Sequence, residues 1–299
     1  MRLRLVFSPL ALAAALAAPC AARDGRKIYV SVDMEGIAGV VSPEQLGPAG
    51  FEYARFREFM TEEATTALAA AREAGATEFL VSDSHGNMQN ILVEKLPKDV
   101  QLVRSSPRPL MMMEGLDASF DGVIFIGYHA STTNPEGVRA HTMSSATLAD
   151  VRLNGVSVPE AVFNAAIAGH FGVPVIAISG DDVIVKEARA TLGDVEGAVV
   201  KWAYGFHSAR TLTPEAARDV IREKVKAAMA RRASFRPYVV KTPVELEVRF
   251  KNYRPAELLS YLSVVKRVDA HAVRFVARDM IEASRFMEFL LNYQASLEP

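Results

Sequence analysis

Cysteine is almost absent from this 299-residue chain, where Cys20 is the only one. Cysteine-rich zinc sites need several thiolates, so any zinc here must be held by histidine and carboxylate. An excess of one charge is missing too. With 34 Lys and Arg against 35 Asp and Glu, the formal net charge is −1, which offers no electrostatic footprint for nucleic acid or an anionic membrane. The longest apolar run, at 5–18, is too short to cross a bilayer comfortably. The chain has no internal repeat, no low-complexity tract and no Gly-rich phosphate loop of the Walker type.

What is present begins with a leader. Arg2 and Arg4 precede that apolar run, and Pro19-Cys20-Ala21-Ala22 follows it. A basic start, a short apolar core and small residues read as a secretory signal peptide at 1–22. Cleavage after Ala22 would send the mature protein out of the cytoplasm, with the periplasm as the expected compartment. It would also remove the only cysteine, and with it any disulfide or thiolate nucleophile.

Beyond the leader, apolar runs alternate with amphipathic stretches. Strands are expected at 27–33, 78–82, 100–104, 122–128, 173–179 and 197–203. Helices are expected at 52–74, 159–171, 180–192 and 213–232. In the first helix Phe56, Met60, Ala64, Ala67, Leu68 and Ala71 recur every three or four residues, so one stripe faces a sheet. Asn154-Gly155 between β-like residues predicts a hairpin. The tail predicts strand 243–250, helix 255–262, strand 272–277 and helix 278–293. This order implies an α/β protein, three-layered as α/β/α around a largely parallel sheet, with a smaller C-terminal α+β subdomain. The 231–237 segment is the expected boundary between a catalytic domain at 23–235 and a subdomain at 236–299.

Chemistry gathers where the strand-like runs stop. Asp33-Met34-Glu35-Gly36 follows the first run, Asp83-Ser84-His85 the second, and Tyr128-His129 the run Val123-Ile124-Phe125-Ile126-Gly127. Ligands of parallel sheets collect outside the carboxyl ends of the strands. Asp33 and Glu35, two apart, are expected on the same side of their strand. His85 and His129 read as metal ligands, and Asp83 as a support for an imidazole or amide. His141, after a polar loop, is open between ligand, general acid or base, and surface residue. His170 at a helix end reads as structural, His207 is ambiguous, and His271 is expected to be exposed. Glu160 opens a helix, where an acidic residue ordinarily does no more than complement the dipole.

These motifs resemble the zinc-dependent D-aminopeptidase family, peptidase family M55, associated with dipeptide-transport operons. The matching segments are Ser31-Val32-Asp33-Met34-Glu35-Gly36, Met60-Thr61-Glu62-Glu63, Asp83-Ser84-His85, Met113-Glu114-Gly115-Leu116-Asp117, Gly127-Tyr128-His129-Ala130, Asn154-Gly155, Asn164-Ala165 and Gly180-Asp181-Asp182, in family order. The resemblance implies two zinc ions held by Asp33, Glu35, His85, His129 and Glu160, with Asp33 bridging. It implies His141 as the catalytic histidine, although this chain reads Arg139-Ala140-His141-Thr142-Met143-Ser144 where the family pattern is Ser-His-Ser. It further implies an aminopeptidase acting on short peptides, with D-amino-acid peptides such as D-Ala-D-Ala as substrates and a zinc-bridging water as the attacking group. The implied assembly is a homo-oligomeric ring, with ten subunits as the expected count. Two other readings use the same residues: another metal-dependent hydrolase, such as an amidase or phosphoesterase, and a non-catalytic peptide-binding protein serving dipeptide transport.

Overall fold

The computed structural model describes residues 26–293. The expected signal peptide at 1–22, with Cys20, lies outside the described residues. Along the chain come β1 (Lys27–Val32), α1 (Tyr53–Glu73), β2 (Glu78–Asp83), β3 (Gln101–Val103) and β4 (Gly122–Tyr128). The hairpin β5 (Leu148–Leu153) and β6 (Val156–Ser157) turns at Asn154-Gly155 and leads into α2 (Glu160–His170). Then follow β7 (Val175–Asp181), α3 (Asp182–Leu192), β8 (Glu196–Gly205), β9 (Ser208–Thr211) and α4 (Pro214–Ala230). The tail holds β10 (Val244–Phe250), α5 (Tyr253–Leu259), β11 (Val265–Arg267), β12 (Ala272–Ala277) and α6 (Met280–Asn292).

A seven-stranded sheet runs β3-β2-β1-β4-β7-β8-β9 and is parallel except for β9 at its edge. Every residue of β4 and β7 is buried, as strands covered on both faces require and as their unbroken apolar runs predict. The stripe of α1 and the apolar side of α4 cover one face in a single core with β1 and β4. On the other face α2 and α3 share a second core with Tyr29, Val123, Phe125 and Ile178. The result is the three-layer α/β/α arrangement. All but the last residue of α2 are buried, because this helix lies in a core that also includes a second sheet and α6.

That second sheet, β11-β12-β10-β5-β6, is antiparallel. It draws β5 and β6 from the middle of the chain and the other strands from the tail, so its residues stand on both sides of 231–237. Two strands were not foreseen, β9 and β11. At four and three residues they are too short to display a period.

The topology decides where a site can form. The chain leaves β1 to build β2 and β3 on one side, then crosses back to β4 on the other. The crevice at such a switch point, outside the carboxyl ends of the strands, is where ligands bind in open α/β sheets. Here the loops after β1 and β4 press together. Asp33 N–H donates to Ile126 O (2.8 Å) and Gly36 N–H to Gly127 O (2.6 Å). A Cβ on Gly36 would meet Tyr128 O at 2.0 Å, and one on Gly127, whose φ is +73°, would meet Asp33 O at 2.2 Å. Only glycine permits this approach at both positions.

Candidate metal centre

The ends of β1, β2 and β4 and the start of α2 deliver Asp33, Glu35, His85, His129 and Glu160 to one place, all of them buried. His85 Nδ1 lies 2.8 Å from Glu35 Oε2 and 3.3 Å from Asp33 Oδ1. His129 Nε2 lies 3.3 Å from Asp33 Oδ2 and 3.5 Å from Glu160 Oε1. Asp33 thus offers one oxygen to each histidine. The same-side placement of Asp33 and Glu35 has a different cause from the one expected. The ladder has ended at Val32, and a turn, closed by Ile37 N–H to Met34 O (3.2 Å), brings the two carboxylates together.

Each imidazole is fixed from behind by a backbone carbonyl. His85 Nε2–H donates to Leu46 O (2.7 Å), His129 Nδ1–H to Ala130 O (3.1 Å), and His141 Nδ1–H to Arg139 O (2.7 Å). Metal-bound histidines are held in this way, since a bond at one nitrogen sets the tautomer and aims the other lone pair. The residues fit a metal on two further counts. Asp33 Oδ2 and His129 Nε2 are buried with no hydrogen-bond partner among the described residues, a costly arrangement unless a cation satisfies both. Their 3.3 Å separation also matches that of two ligands on a tetrahedral zinc ion with bonds of about 2.0–2.1 Å.

His141 stands slightly apart. Its Nε2 is 3.7 Å from Glu160 Oε1 and 4.0 Å from Glu35 Oε1, and its ring stacks on His129 with centroids 4.0 Å apart and planes 9° from parallel. With His129 and Glu160 it also forms a three-donor group within 4.8 Å. Arg139 and Met143, two residues to either side, both have left-handed backbone, with φ of +53° and +64°. Such strain persists only where the surroundings over-determine it. Met143 N–H donates to Glu160 Oε1 (2.6 Å), which ties the His141 loop to the opening turn of α2.

The electrostatics of the metal-free protein follow from this crowding. Burial, with Glu35 adding to it, pushes the Asp33 carboxyl up to about 6 against the pull of both histidines. Burial alone would raise Glu35 and Glu160 as well, but His85 beside the one and His129 beside the other hold them below the usual range. Burial would lower His85 and His129, yet the adjacent carboxylates outweigh it and raise both well above an ordinary imidazole. His141 goes the opposite way, depressed first by burial and then by the charge of His129. Two stacked rings are thereby tuned in opposite directions.

A cavity of about 400 Å³ opens over the cluster. Its wall also carries Met88, Met111, Met112 and Met143, with Glu288 and Leu291 from α6. Met88 and Met111, like Met143, have left-handed backbone, at φ of +57° and +52°. This wall has no periodic signature and was not foreseen.

The remaining candidates fall elsewhere. The Asp83 carboxylate does not reach an imidazole. It accepts from Asn90 N–H (2.5 Å), Ile91 N–H (2.6 Å) and Asn90 Nδ2 (2.9 Å), and Asn90 Nδ2 also donates to His85 O (2.6 Å). It therefore supports His85 through the loop that carries it. His170 is exposed at the end of α2. His207 is exposed on the turn between β8 and β9, with Nδ1 3.3 Å from Val41 O. His271 is half-buried beside β12 rather than exposed, because its carbonyl accepts from Phe250 N–H (2.8 Å) on the neighbouring strand. None of the three reaches the cluster.

The D-aminopeptidase family model, of peptidase family M55, matches residues 26–289. A D-aminopeptidase of Bacillus subtilis (strain 168) is 36% identical over 265 residues, spanning 87% of this chain and 95% of the relative. The solved structure of the Zn-dependent D-aminopeptidase DppA from Bacillus subtilis, described as a self-compartmentalizing protease, superposes with a TM-score of 0.86 at 34% identity. That match covers 91% of this chain and 100% of the other.

Proposed function

This chain belongs to the D-aminopeptidase family, peptidase family M55, whose members hydrolyse peptide bonds, and from that premise we propose that it removes the N-terminal residue from short D-amino-acid peptides such as D-Ala-D-Ala. In this reading two zinc ions are held by Asp33, Glu35, His85, His129 and Glu160, with Asp33 shared between them. The observation that carries it is the convergence of carbonyl-backed imidazoles on buried carboxylates in the lining of one cavity. A cavity of about 400 Å³ is in the size range of small-ligand sites and suits a short peptide.

Zinc bound there would supply Lewis acidity toward the scissile carbonyl and a water of lowered pKa. The protein's own groups supply the rest. His85 and His129 give their bare nitrogens to the centre while Leu46 O and Ala130 O hold the rings in register. His141 is the catalytic histidine. Its Nδ1–H is engaged by Arg139 O, and its burial, which disfavours the imidazolium, leaves Nε2 free to accept a proton from the attacking water. Protonated in that step, the same nitrogen can give the proton to the departing amine. The methionines of the lining offer polarizable, adaptable surface to a substrate side chain.

The reading extends to assembly and place. A relative described as self-compartmentalizing supports a homo-oligomeric ring, with ten subunits as the expected count. The sequence at 1–22 supports export to the periplasm, where peptides containing D-alanine would be the substrate pool. The deciding experiment assays metal-analysed mature protein on D-Ala-D-Ala and L-Ala-L-Ala, with and without chelator. Cleavage of the D-peptide that stops on chelation and returns with zinc is expected. Cleavage of the L-peptide alone would overturn the stereochemistry, and chelator-insensitive cleavage would overturn the metal.

A further inference from the structure

One charged side chain in the core plays no part in that mechanism. Lys201 sits on β8 in the run Ala198-Val199-Val200-Lys201-Trp202 and is fully buried. A buried ammonium needs an acceptor for each of its three hydrogens. Lys201 Nζ finds them on one short segment: it donates to Glu35 O, to Ile37 O (3.1 Å) and to Val40 O (2.6 Å). These carbonyls belong to the turn after β1, where the sheet ladder has ended and no strand neighbour takes them. From the other side, Glu63 of α1 accepts from Ala38 N–H (3.0 Å). The segment that carries Glu35 is therefore gripped between β8 and α1.

We propose that Lys201 is a positioning residue for the metal centre, fixing the 35–40 turn from which Glu35 reaches His85 and acting on the Asp33/Glu35/His85 half rather than the His129/Glu160 half. The inference rests on the metal reading given above. Its selectivity follows from placement. The first acceptor is the carbonyl of Glu35 itself, whereas His129 and Glu160 hang from the end of β4 and the start of α2, and none of Lys201's acceptors belongs to either element.

The test titrates metal-free full-length protein with cobalt(II), followed by its absorption spectrum, in wild type and in Lys201→Met. Wild type is expected to take up two equivalents. In the variant one equivalent should bind as before, while the other weakens by about 10- to 100-fold, the usual effect of removing a support behind a ligand. Peptide hydrolysis should lose kcat with KM nearly unchanged. Should Lys201→Met not fold, Lys201→Gln, which keeps two amide donors, carries the same comparison. Parallel weakening of both equivalents in step with a lower Tm, or no weakening at all, would overturn the proposal and leave the metal reading standing. A wild-type protein that takes up no metal would overturn both.

Discussion

The two halves of the centre are built differently. Asp33, Glu35 and His85 come from the ends of adjacent parallel strands, β1 and β2, and their supports are local or lie directly behind: Asp83 and Asn90 brace the His85 loop, and Lys201 and Glu63 brace the Glu35 turn. His129, His141 and Glu160 come from the end of β4, a strained loop and the start of α2, and they are linked by ring stacking of the two histidines and, through the His141 loop, by the Met143 N–H to Glu160 bond. The first half is a scaffolded set of candidate ligands. The second combines ligands with the one imidazole whose pKa is depressed rather than raised. Neighbouring imidazoles are thus set apart within a few ångströms, because adjacent carboxylates raise His85 and His129 while burial, and then the charge of His129, lowers His141.

Asp33 is the only residue that touches both halves at 3.3 Å, so its removal should erase the distinction altogether. Asp33→Ala is expected to cost at least about a thousandfold in kcat/KM, roughly 4 kcal/mol of transition-state stabilisation, together with most bound metal by elemental analysis. A variant that kept two metals would show that the halves do not share this carboxylate.

His141→Ala should sharpen the comparison instead. It is expected to keep its metal and lose about 100- to 10,000-fold in kcat, the range for a lost general acid–base group. Loss of metal in proportion to activity would make His141 a ligand like the others.

The smallest effect concerns protons. His85 and His129 have raised pKa values in the metal-free protein and so remain protonated at neutral pH. Metal must displace those protons, whereas His141 has none to lose. Uptake at pH 7 should therefore release protons, and apparent affinity should rise with pH until both imidazoles are neutral. Calorimetry in buffers of different ionisation enthalpy measures the release, and zero release would contradict the assigned charge states.

Much of the centre is legible from residues alone. A buried parallel strand reads as a largely apolar run, so the polar residues just past its end stand out, as Asp33, His85 and His129 do. Glu160 does not stand out, because an acidic first residue is ordinary in any helix and its partners, His129 and Met143, lie far away in sequence. Lys201 is conspicuous as a cation within an apolar strand, yet nothing nearby names the carbonyls it binds, which lie more than 160 positions earlier. The methionine wall is invisible for a related reason: Met88 and Met143 occupy loops and Met111 opens a single 3-10 turn at Met111–Met113, too short to display a period.

The sequence by itself determined the α/β alternation, the polar residues at the strand ends and the scarcity of cysteine, since all three depend on residue type and local period. Only the tertiary structure decided that those ends meet. That outcome depends on β4 lying beside β1 across the switch point, on Gly36 and Gly127 letting their loops touch, and on the opening turn of α2 facing the same crevice. Strand order and loop approach are relations between distant segments, and no local pattern encodes them.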